Sequence, residues 1–566
     1  MKMARTARRT HRILAFSVAF ALVAALLAAD ETTDKVDKLF ASWDKTTSPG
    51  AALAVIRDGR IVYKRGYGMA KIEDGIVMTP DKIFDIGSCS KQFTATCVVM
   101  LVREGKVSLD DNVRKYIPEL PDYGTPITVR HLLHHTSGLR DYNALLELAG
   151  FRGDSDCPNV DEALDVICRQ KKLNYPPGQE YSYTNTGFFL LSQIVERVSG
   201  KSLNAFAQEH IFKPLGMEHT LYQDDHTQII KNRATGYDPD GQGFKLDMSN
   251  WDETGDGNVY TSVEDLTLWD QAFYNFKLGR DVMDMLHTTG TLSSGKKIDY
   301  AFGLVVSEYK GLKIVEHGGA WAGFRAEILR FPEEKFSVIC LANLGTMNPS
   351  ALSYKVADIY LAGKLKEPEK KPEAKKAEAA PAAVPEKDAA PLVGNYQEAK
   401  FGEWSEVTFK DGKLIAARGG RNFVLFPTGP MTFEIRGGTT TVNMVFSAAA
   451  AGQKAKLTAT YPGGQTEVYE KAAPLASLTP ERLAEFAGIF VSHELLNIEY
   501  QVVVEKDGLI LKMRTVPKAV LKPMAPDKFT EPEFGANIDF VRGKGGKVTG
   551  FRLAVGRAAG IEFLKK

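Results

Sequence analysis

The sequence predicts an α/β (α+β) domain followed by two small antiparallel β-barrel domains. Three observations carry the prediction. Residues 30–363 alternate short apolar runs with helix-period segments, residues 364–391 form a Pro/Ala/Lys/Glu tract, and the chain beyond that tract repeats itself at an offset of 94 to 96 residues. At about 150 residues per domain, 566 residues correspond to about four domains, or to one large domain with small satellites. A content of 44% hydrophobic and 25% charged residues argues against wholesale disorder, a collagen or a polytopic membrane protein. Lys and Arg total 71 against 70 Asp and Glu, so the net charge of +1 offers no field to a polyanion and argues against nucleic acid as the main partner. Five cysteines are too few for a disulfide scaffold in a chain of this length.

At the N-terminus, Lys2, Arg5, Arg8, Arg9 and Arg12 precede an apolar run over residues 13–29, and small residues close it before Asp30 and Glu31. This is the layout of a secretory signal peptide, residues 1–29, and predicts an exported protein, periplasmic or extracellular, with a mature chain of 537 residues. The run is also near the shortest that spans a bilayer, so an uncleaved N-terminal membrane anchor is the alternative. In an oxidising compartment Cys157 and Cys168 are the only nearby pair able to bridge. Cys89, Cys97 and Cys340 sit in apolar or motif contexts that suit buried thiols.

The large domain, residues 30–363, opens with apolar segments 50–56 and 61–63 around Asp58-Gly59, which reads as a hairpin. A short strand at 83–86 leads through Gly87 into Ser88-Cys89-Ser90-Lys91. Phe93, Cys97, Val98, Leu101 and Val102 then recur at helical spacing until Gly105. Ser88 therefore stands at a helix N-terminus with Lys91 one turn later on the same face. A serine hydroxyl is a poor nucleophile until a neighbour takes its proton, and a desolvated lysine one turn away can take it or lower the pKa of the group that does. Alone, Ser-x-x-Lys is weak evidence, because serine caps many helices.

Further along, Pro176-Pro177-Gly178 makes a turn and residues 181–187 form a loop carrying Tyr183 and Asn185. A helix with Leu190, Leu191, Ile194, Val195 and Val198 comes next and stops at Gly200. A Tyr-x-Asn loop can point a phenol and a carboxamide the same way, setting a proton acceptor beside a hydrogen-bonding group for a substrate amide. A strand at 312–315 then runs into Glu316-His317-Gly318-Gly319-Ala320-Trp321-Ala322-Gly323, with another strand at 326–331. The paired glycines at a strand end let a substrate backbone approach, and a backbone N–H there can form half of an oxyanion hole. Each motif also has an ordinary structural reading: a helix cap, a loop turn, a Gly-rich hairpin with a stray histidine.

The tract 364–391 has almost no large apolar side chains to offset its chain entropy and reads as a semi-extended linker. Beyond it, Leu392-Val393-Gly394-Asn395-Tyr396 corresponds to Phe486-Ala487-Gly488-Ile489-Phe490, Phe433 to Phe529, and Glu467-Val468-Tyr469 to Ile561-Glu562-Phe563. Residues 392–474 and 475–566 are thus two copies of one module. Each has short alternating strands joined by Asp-Gly or Gly-Gly turns, the pattern of a small antiparallel barrel. Neither holds a convincing nucleophile, metal cluster or phosphate loop, and the pair reads as structural or substrate-restricting, with independent ligand binding as the alternative.

Taken in order, the motifs of residues 30–363 resemble the serine hydrolases of the class C β-lactamase, DD-peptidase and D-aminopeptidase group. The resemblance rests on Phe84-Asp85-Ile86-Gly87-Ser88-Cys89-Ser90-Lys91, on Ile127-Thr128-Val129-Arg130-His131-Leu132-Leu133-His134-His135-Thr136-Ser137-Gly138-Leu139, and on Tyr183-Thr184-Asn185. Val259-Tyr260-Thr261-Ser262-Val263-Glu264-Asp265-Leu266 and His317-Gly318-Gly319 complete it. It implies a β-lactamase/transpeptidase-like fold, an antiparallel sheet flanked by helices plus an all-helical part. By position it implies that Ser88 is the acylated nucleophile and Lys91 its activating partner. Tyr183 looks like the general base, a role Lys91 could also take, and Asn185 like a ligand for the substrate amide. The N–H groups of Ser88 and Ala320 would form the oxyanion hole beside His317, Gly318 and Gly319. His134, His135 and Ser137 would organise a turn and a helix end. No carboxylate or fourth ligand accompanies His131, His134 and His135 at a recognisable spacing, so no metal and no cofactor is expected.

One departure bears on the substrate. Penicillinases of this group usually carry Lys-Thr-Gly where this chain has His317-Gly318-Gly319, and a histidine is charged only in part near neutral pH. With less of an anion hook, the resemblance implies acyl transfer to water on a small ester or a D-amino-acid-containing peptide, as in D-aminopeptidases, D-stereospecific peptidases and esterases. The barrel pair is similar to the lipocalin-like barrels of D-aminopeptidases, whose loops can narrow the site. A β-lactamase and a non-catalytic binding or scaffold protein on the same fold are the other readings, and the oligomeric state is open.

Overall fold

The computed structural model describes residues 31–153, 155–366, 384–398, 402–418, 421–437, 440–449, 454–461, 466–473, 478–506, 508–533 and 535–566. The expected signal peptide, residues 1–29, and the expected linker between 367 and 383 lie outside the described residues.

The run Ala-Ala-Leu-Ala-Val-Ile has no polar residue because its strand, β1 (Ala51–Arg57), is buried on both faces. Asp58 and Gly59, at φ of 48° and 76°, turn the chain into β2 (Arg60–Tyr67), the conformation that an Asp-Gly pair favours. Four strands from the far end of the domain complete the sheet: β3 (Val305–Tyr309), β4 (Leu312–Trp321), β5 (Phe324–Phe331) and β6 (Phe336–Ala342). The order is β3-β4-β5-β6-β1-β2, with β1 antiparallel to β6 from Ala51 opposite Ala342 to Arg57 opposite Phe336. This long-range pairing closes the beginning of the domain onto its end.

Four helices carry motif residues or pack on the sheet: α1 (Lys91–Arg103), α2 (Asn185–Ser199), α3 (Val263–Asn275) and α4 (Pro349–Tyr360). Ala51, Leu53 and Val55 share one face of β1 and pack with Val36, Phe40, Leu352 and Val356, the last two on α4. Removing a side chain such as Leu53 or Val55 from water contributes about 1.5–3 kcal/mol. Helix α3 begins at the cap Ser262, whose hydroxyl accepts the Asp265 N–H at 3.1 Å, and its buried Asp270 accepts the Ser337 hydroxyl of β6 at 2.7 Å.

Each repeat closes into an eight-stranded antiparallel barrel, the first from Gly394–Glu398 to Thr466–Lys471 and the second from Gly488–Ser492 to Ala558–Lys565. Residues paired by the repeat hold equivalent interior positions: Phe433 and Phe529 are buried, as are Tyr469 and Phe563. The end of the expected linker is folded. Glu386–Ala389 forms a short helix, and Ala389 joins the core of the first barrel.

The chain forms two compact units. One takes residues up to 111, 188–291 and 295–371, and so contains the six-stranded sheet with α1, α3 and α4; the other takes 112–187, 292–294 and both barrels. Segment 112–187 thus shares a compact unit with the barrels. Among the described residues no helix is long and apolar enough to cross a membrane.

Candidate active site

The turn that carries Ser88 is built outward from a buried carboxyl. Phe84–Asp85 is a two-residue strand, shorter than the expected 83–86, and Asp85 accepts the Gly87 N–H at 2.8 Å. Burial pushes the Asp85 carboxyl up to about 7. Gly87, at φ +49°, then tips the chain into a 3-10 turn, Gly87–Ser90, that runs straight into α1. Ser88 is half-buried while Gly87, Cys89 and Ser90 are buried, so the turn presents one hydroxyl. The Ser90 hydroxyl oxygen accepts the Val259 N–H at 3.0 Å, and Tyr222 donates to the Ser90 carbonyl at 3.1 Å.

Lys91 is the first residue of α1 and has no exposure to solvent. Its ammonium donates to Ser88 Oγ at 3.1 Å and to the Asp256 carbonyl at 2.6 Å. It also lies 5.7 Å from the ring centre of Phe188, in the first turn of α2. A buried ammonium needs such acceptors, and here one of them is the Ser88 hydroxyl.

The third motif adjoins this turn through β4. The sequence suggested a strand ending at Val315, but β4 continues through both glycines to Trp321. A Cβ at Gly319 would stand 1.9 Å from the Ile86 carbonyl oxygen, and one at Gly87 2.7 Å from the Ala320 nitrogen. Glycine at both positions is what lets the strand abut the turn. The Cys89 thiol donates to the His317 carbonyl at 2.9 Å across the same junction. Trp321 and Phe324 flank a two-residue turn and form its hydrogen-bonded pair; Ala320 opposite Arg325 is then a non-hydrogen-bonded pair, and the Ala320 N–H points out of the β4–β5 ladder. Gly318 is under less constraint, its nearest neighbour for a Cβ being Glu327 Oε2 at 3.3 Å.

His317 is buried. With Nδ1 donating to the Gly318 carbonyl at 2.6 Å, Nε2 accepts from the Tyr300 hydroxyl at 3.0 Å. Burial, and then the charge of Lys91, push the His317 pKa down to about 4. The ring is therefore neutral at pH 7, where the sequence allowed a partial charge.

In the other unit, Asn185 is the first residue of α2 rather than part of the preceding loop. Asp141 Oδ2 accepts the Asn185 N–H at 2.7 Å and the Thr184 hydroxyl at 3.4 Å. His135, at φ +55° and fully buried, braces the same loop: its Nδ1 accepts the Thr184 N–H at 3.3 Å and its carbonyl the Ser182 N–H at 3.0 Å. Its ring centre is 4.2 Å from that of Tyr183. His131 instead caps the helix Val129–Leu133, accepting the Thr128 N–H on Nδ1 at 3.2 Å. Ser137 accepts the Leu139 N–H at 3.3 Å, so this histidine-rich segment organises a turn and a helix end. The guanidinium of Arg557, from the second barrel, lies 5.5 Å from the Tyr183 ring centre.

The first unit thus gathers Ser88, Lys91, His317, Gly318, Gly319 and Ala320, and the second holds Tyr183 and Asn185. Sequence reasoning missed Asp256 and Tyr300 in one and Asp141 and Arg557 in the other. Asp141 had a signal, since it stands as a cap before Tyr142–Leu148; Asp256, which contributes a backbone carbonyl, had none. Among the described residues no disulfide joins Cys157 and Cys168, the pair that could have bridged, and burial pushes the Cys89, Cys97 and Cys340 thiols up.

The family model described as Beta-lactamase matches residues 30–361. A D-aminopeptidase of Brucella canis is 30% identical over 395 residues, covering 69% of this chain and 70% of that protein. A D-aminopeptidase of Gluconobacter oxydans is 33% identical over 305 residues, 52% of this chain, and the match spans 56% of the length of that relative. Among solved structures, the octameric penicillin-binding protein homologue from Pyrococcus abyssi aligns with a TM-score of 0.53 at 26% identity, covering 75% of this chain and 96% of that one.

Proposed function

The chain belongs to the β-lactamase family of serine hydrolases, and from that premise we propose that it cleaves D-amino-acid-containing peptides or small esters through an acyl-enzyme on Ser88. The observation that carries this reading is the neutral His317 at the third motif. A site that used this position to hold a substrate carboxylate would keep a permanent cation there, and a neutral ring hydrogen-bonded to Tyr300 and Gly318 suits an uncharged or zwitterionic acyl group better. The D-aminopeptidase relatives support the same substrate class.

In the proposed reaction Tyr183 accepts the Ser88 proton as Oγ bonds to the substrate carbonyl carbon. The carbonyl π electrons move onto oxygen, where the N–H groups of Ser88 and Ala320 donate to it. Lys91 Nζ lies 3.1 Å from Ser88 Oγ and, as an ammonium, favours loss of that proton to Tyr183. Collapse of the intermediate breaks the carbonyl bond to the amine or alcohol, which leaves with a proton returned from Tyr183. Water then attacks the Ser88 ester, and the acid is released with the serine restored. Asn185 is the proposed ligand for the substrate amide. We also infer export, from the arginine-rich, apolar N-terminus.

A panel of p-nitrophenyl esters, D-amino acid p-nitroanilides, D-Ala-D-Ala peptides and nitrocefin tests the reading. Turnover of the esters or D-amino acid substrates in preference to nitrocefin is expected. Nitrocefin as the best substrate would make the protein a β-lactamase, and no turnover of any member would favour a binding role.

A further inference from the structure

The second barrel is seated on the segment that carries Tyr183, and the seat is specific. Glu494 is 2% exposed at its side chain, and its Oε1 accepts from Arg140 Nη1 at 3.1 Å and from the Lys171 N–H at 2.9 Å. Its Oε2 accepts the Glu562 N–H at 2.9 Å, while its carbonyl takes the Gln170 amide at 2.8 Å. Breaking one partner of a buried ion pair is strongly unfavourable, so this contact fixes the barrel's position on residues 112–187.

The consequence appears at the barrel's last hairpin. Its strands, Val548–Val555 and Ala558–Lys565, are joined by Gly556 and Arg557, with Gly556 at φ +50°. The backbone of this tip is tied down, since the Arg557 carbonyl accepts from Asn174 Nδ2 at 2.9 Å and from the Asp141 N–H at 3.2 Å. Its side chain donates from Nη1 to the Tyr183 carbonyl at 3.2 Å, holds its guanidinium 5.5 Å from the Tyr183 ring centre, and lies 3.7 Å from Asp141 Oδ2. Asp141 in turn accepts from Asn185 and Thr184, so one guanidinium is linked to every residue of Tyr183-Thr184-Asn185. The two repeats differ in sequence here. At the offset of 94 that relates Glu467 to Ile561, Arg557 corresponds in sequence to Gly463, within Tyr461-Pro462-Gly463-Gly464-Gln465, which has no cationic residue.

We propose that Arg557 is a positioning residue of the hydrolase: the second barrel uses it to hold Tyr183 in its working orientation with a permanent positive charge beside the ring. The inference rests on the reading of Tyr183 as the proton acceptor. Within this unit Tyr183 faces the Arg557 guanidinium and the His135 ring, with Asp141 behind Arg557. Arg557 is the contribution that the duplicated barrel brings to this set, and it gives the second copy a role the first lacks.

The test uses the full chain and the best ester or D-amino acid anilide of the panel. Arg557→Ala is expected to lower kcat about 10- to 100-fold with KM nearly unchanged, the scale set by a small misplacement of a reacting group. Arg557→Lys, which restores a charge but not the planar donor pair, is expected to recover part of it. Guanidinium chloride at millimolar concentration is expected to rescue Arg557→Ala and not wild type. The double variant with Tyr183→Phe should be no slower than Tyr183→Phe alone, because the arginine acts through the tyrosine. Wild-type kcat in Arg557→Ala beside a slow Tyr183→Phe overturns the proposal and leaves the base assignment standing. A raised KM or multiplicative losses would make Arg557 a substrate contact and also overturn it. A fully active Tyr183→Phe removes the premise itself.

Discussion

The Lys91 ammonium is shared between Ser88 Oγ, 3.1 Å away, and the Asp256 carbonyl, 2.6 Å away, in a position with no solvent exposure. Lys91→Met keeps much of the volume and removes the charge. It is expected to lower turnover by a factor on the order of 10³ or more, and to cost about 1–3 kcal/mol of stability through the unsatisfied Asp256 carbonyl. Steady-state kinetics and urea unfolding check the two parts; near-wild-type turnover would show that Ser88 does not depend on Lys91.

Tyr183→Phe removes one oxygen from a ring that stays braced by His135 and Arg557. Substrate binding should remain near normal while acylation slows by a factor on the order of 10² to 10⁴, the usual worth of a general base. Pre-steady-state measurement of acylation separates the two. A loss confined to binding would make Tyr183 a substrate contact.

The two glycines of the third motif should differ. Gly319→Ala places a Cβ 1.9 Å from the Ile86 carbonyl oxygen, next to the turn that carries Ser88. Such a clash with backbone should cost about 1–3 kcal/mol and abolish most activity. Gly318→Ala meets nothing nearer than Glu327 Oε2 at 3.3 Å and should be much milder. Thermal denaturation together with turnover of both variants gives the comparison, and equal tolerance would mean the strand can move off the turn.

Much of this site was readable in the residues. The spacing of Ser88 and Lys91 on one turn, the helix after Tyr183, and the two barrels from their 94 to 96 residue offset all come from local periodicity. What the sequence hides depends on long-range packing. The Asp256 carbonyl reaches Lys91 across 165 residues and Arg557 reaches Tyr183 across 374. The neutrality of His317 comes from burial that no motif records. That segment 112–187 also packs against the second barrel is hidden as well, because a contact such as Arg140 with Glu494 leaves no periodic trace. A comparison of the two repeats would have singled out Arg557, which replaces a glycine.

Glu327, on β5 opposite Gly318, makes stability pH-dependent. Burial, and then the nearby Glu316 carboxylate, push its carboxyl from 4.5 up to about 8. The folded protein keeps this proton up to about pH 8 whereas the unfolded chain loses it near 4.5, so the folded state binds more protons in between and stability falls as pH rises through that window. Glu327→Gln has no such proton to lose. Relative to wild type, it should therefore gain on the order of a few kcal/mol between pH 5 and pH 8, read as the difference in urea midpoints. A parallel pH dependence in both proteins would place the titration elsewhere.

The proposed chemistry depends most on Ser88 as the group that carries the acyl chain. Folded full-length protein treated with a fluorophosphonate, digested and mapped by mass spectrometry, is predicted to carry one adduct, on Ser88. In the Ser88→Ala variant that adduct and all turnover should be lost while the thermal transition is retained. An unlabelled Ser88 in active protein, or wild-type turnover by Ser88→Ala, would contradict it.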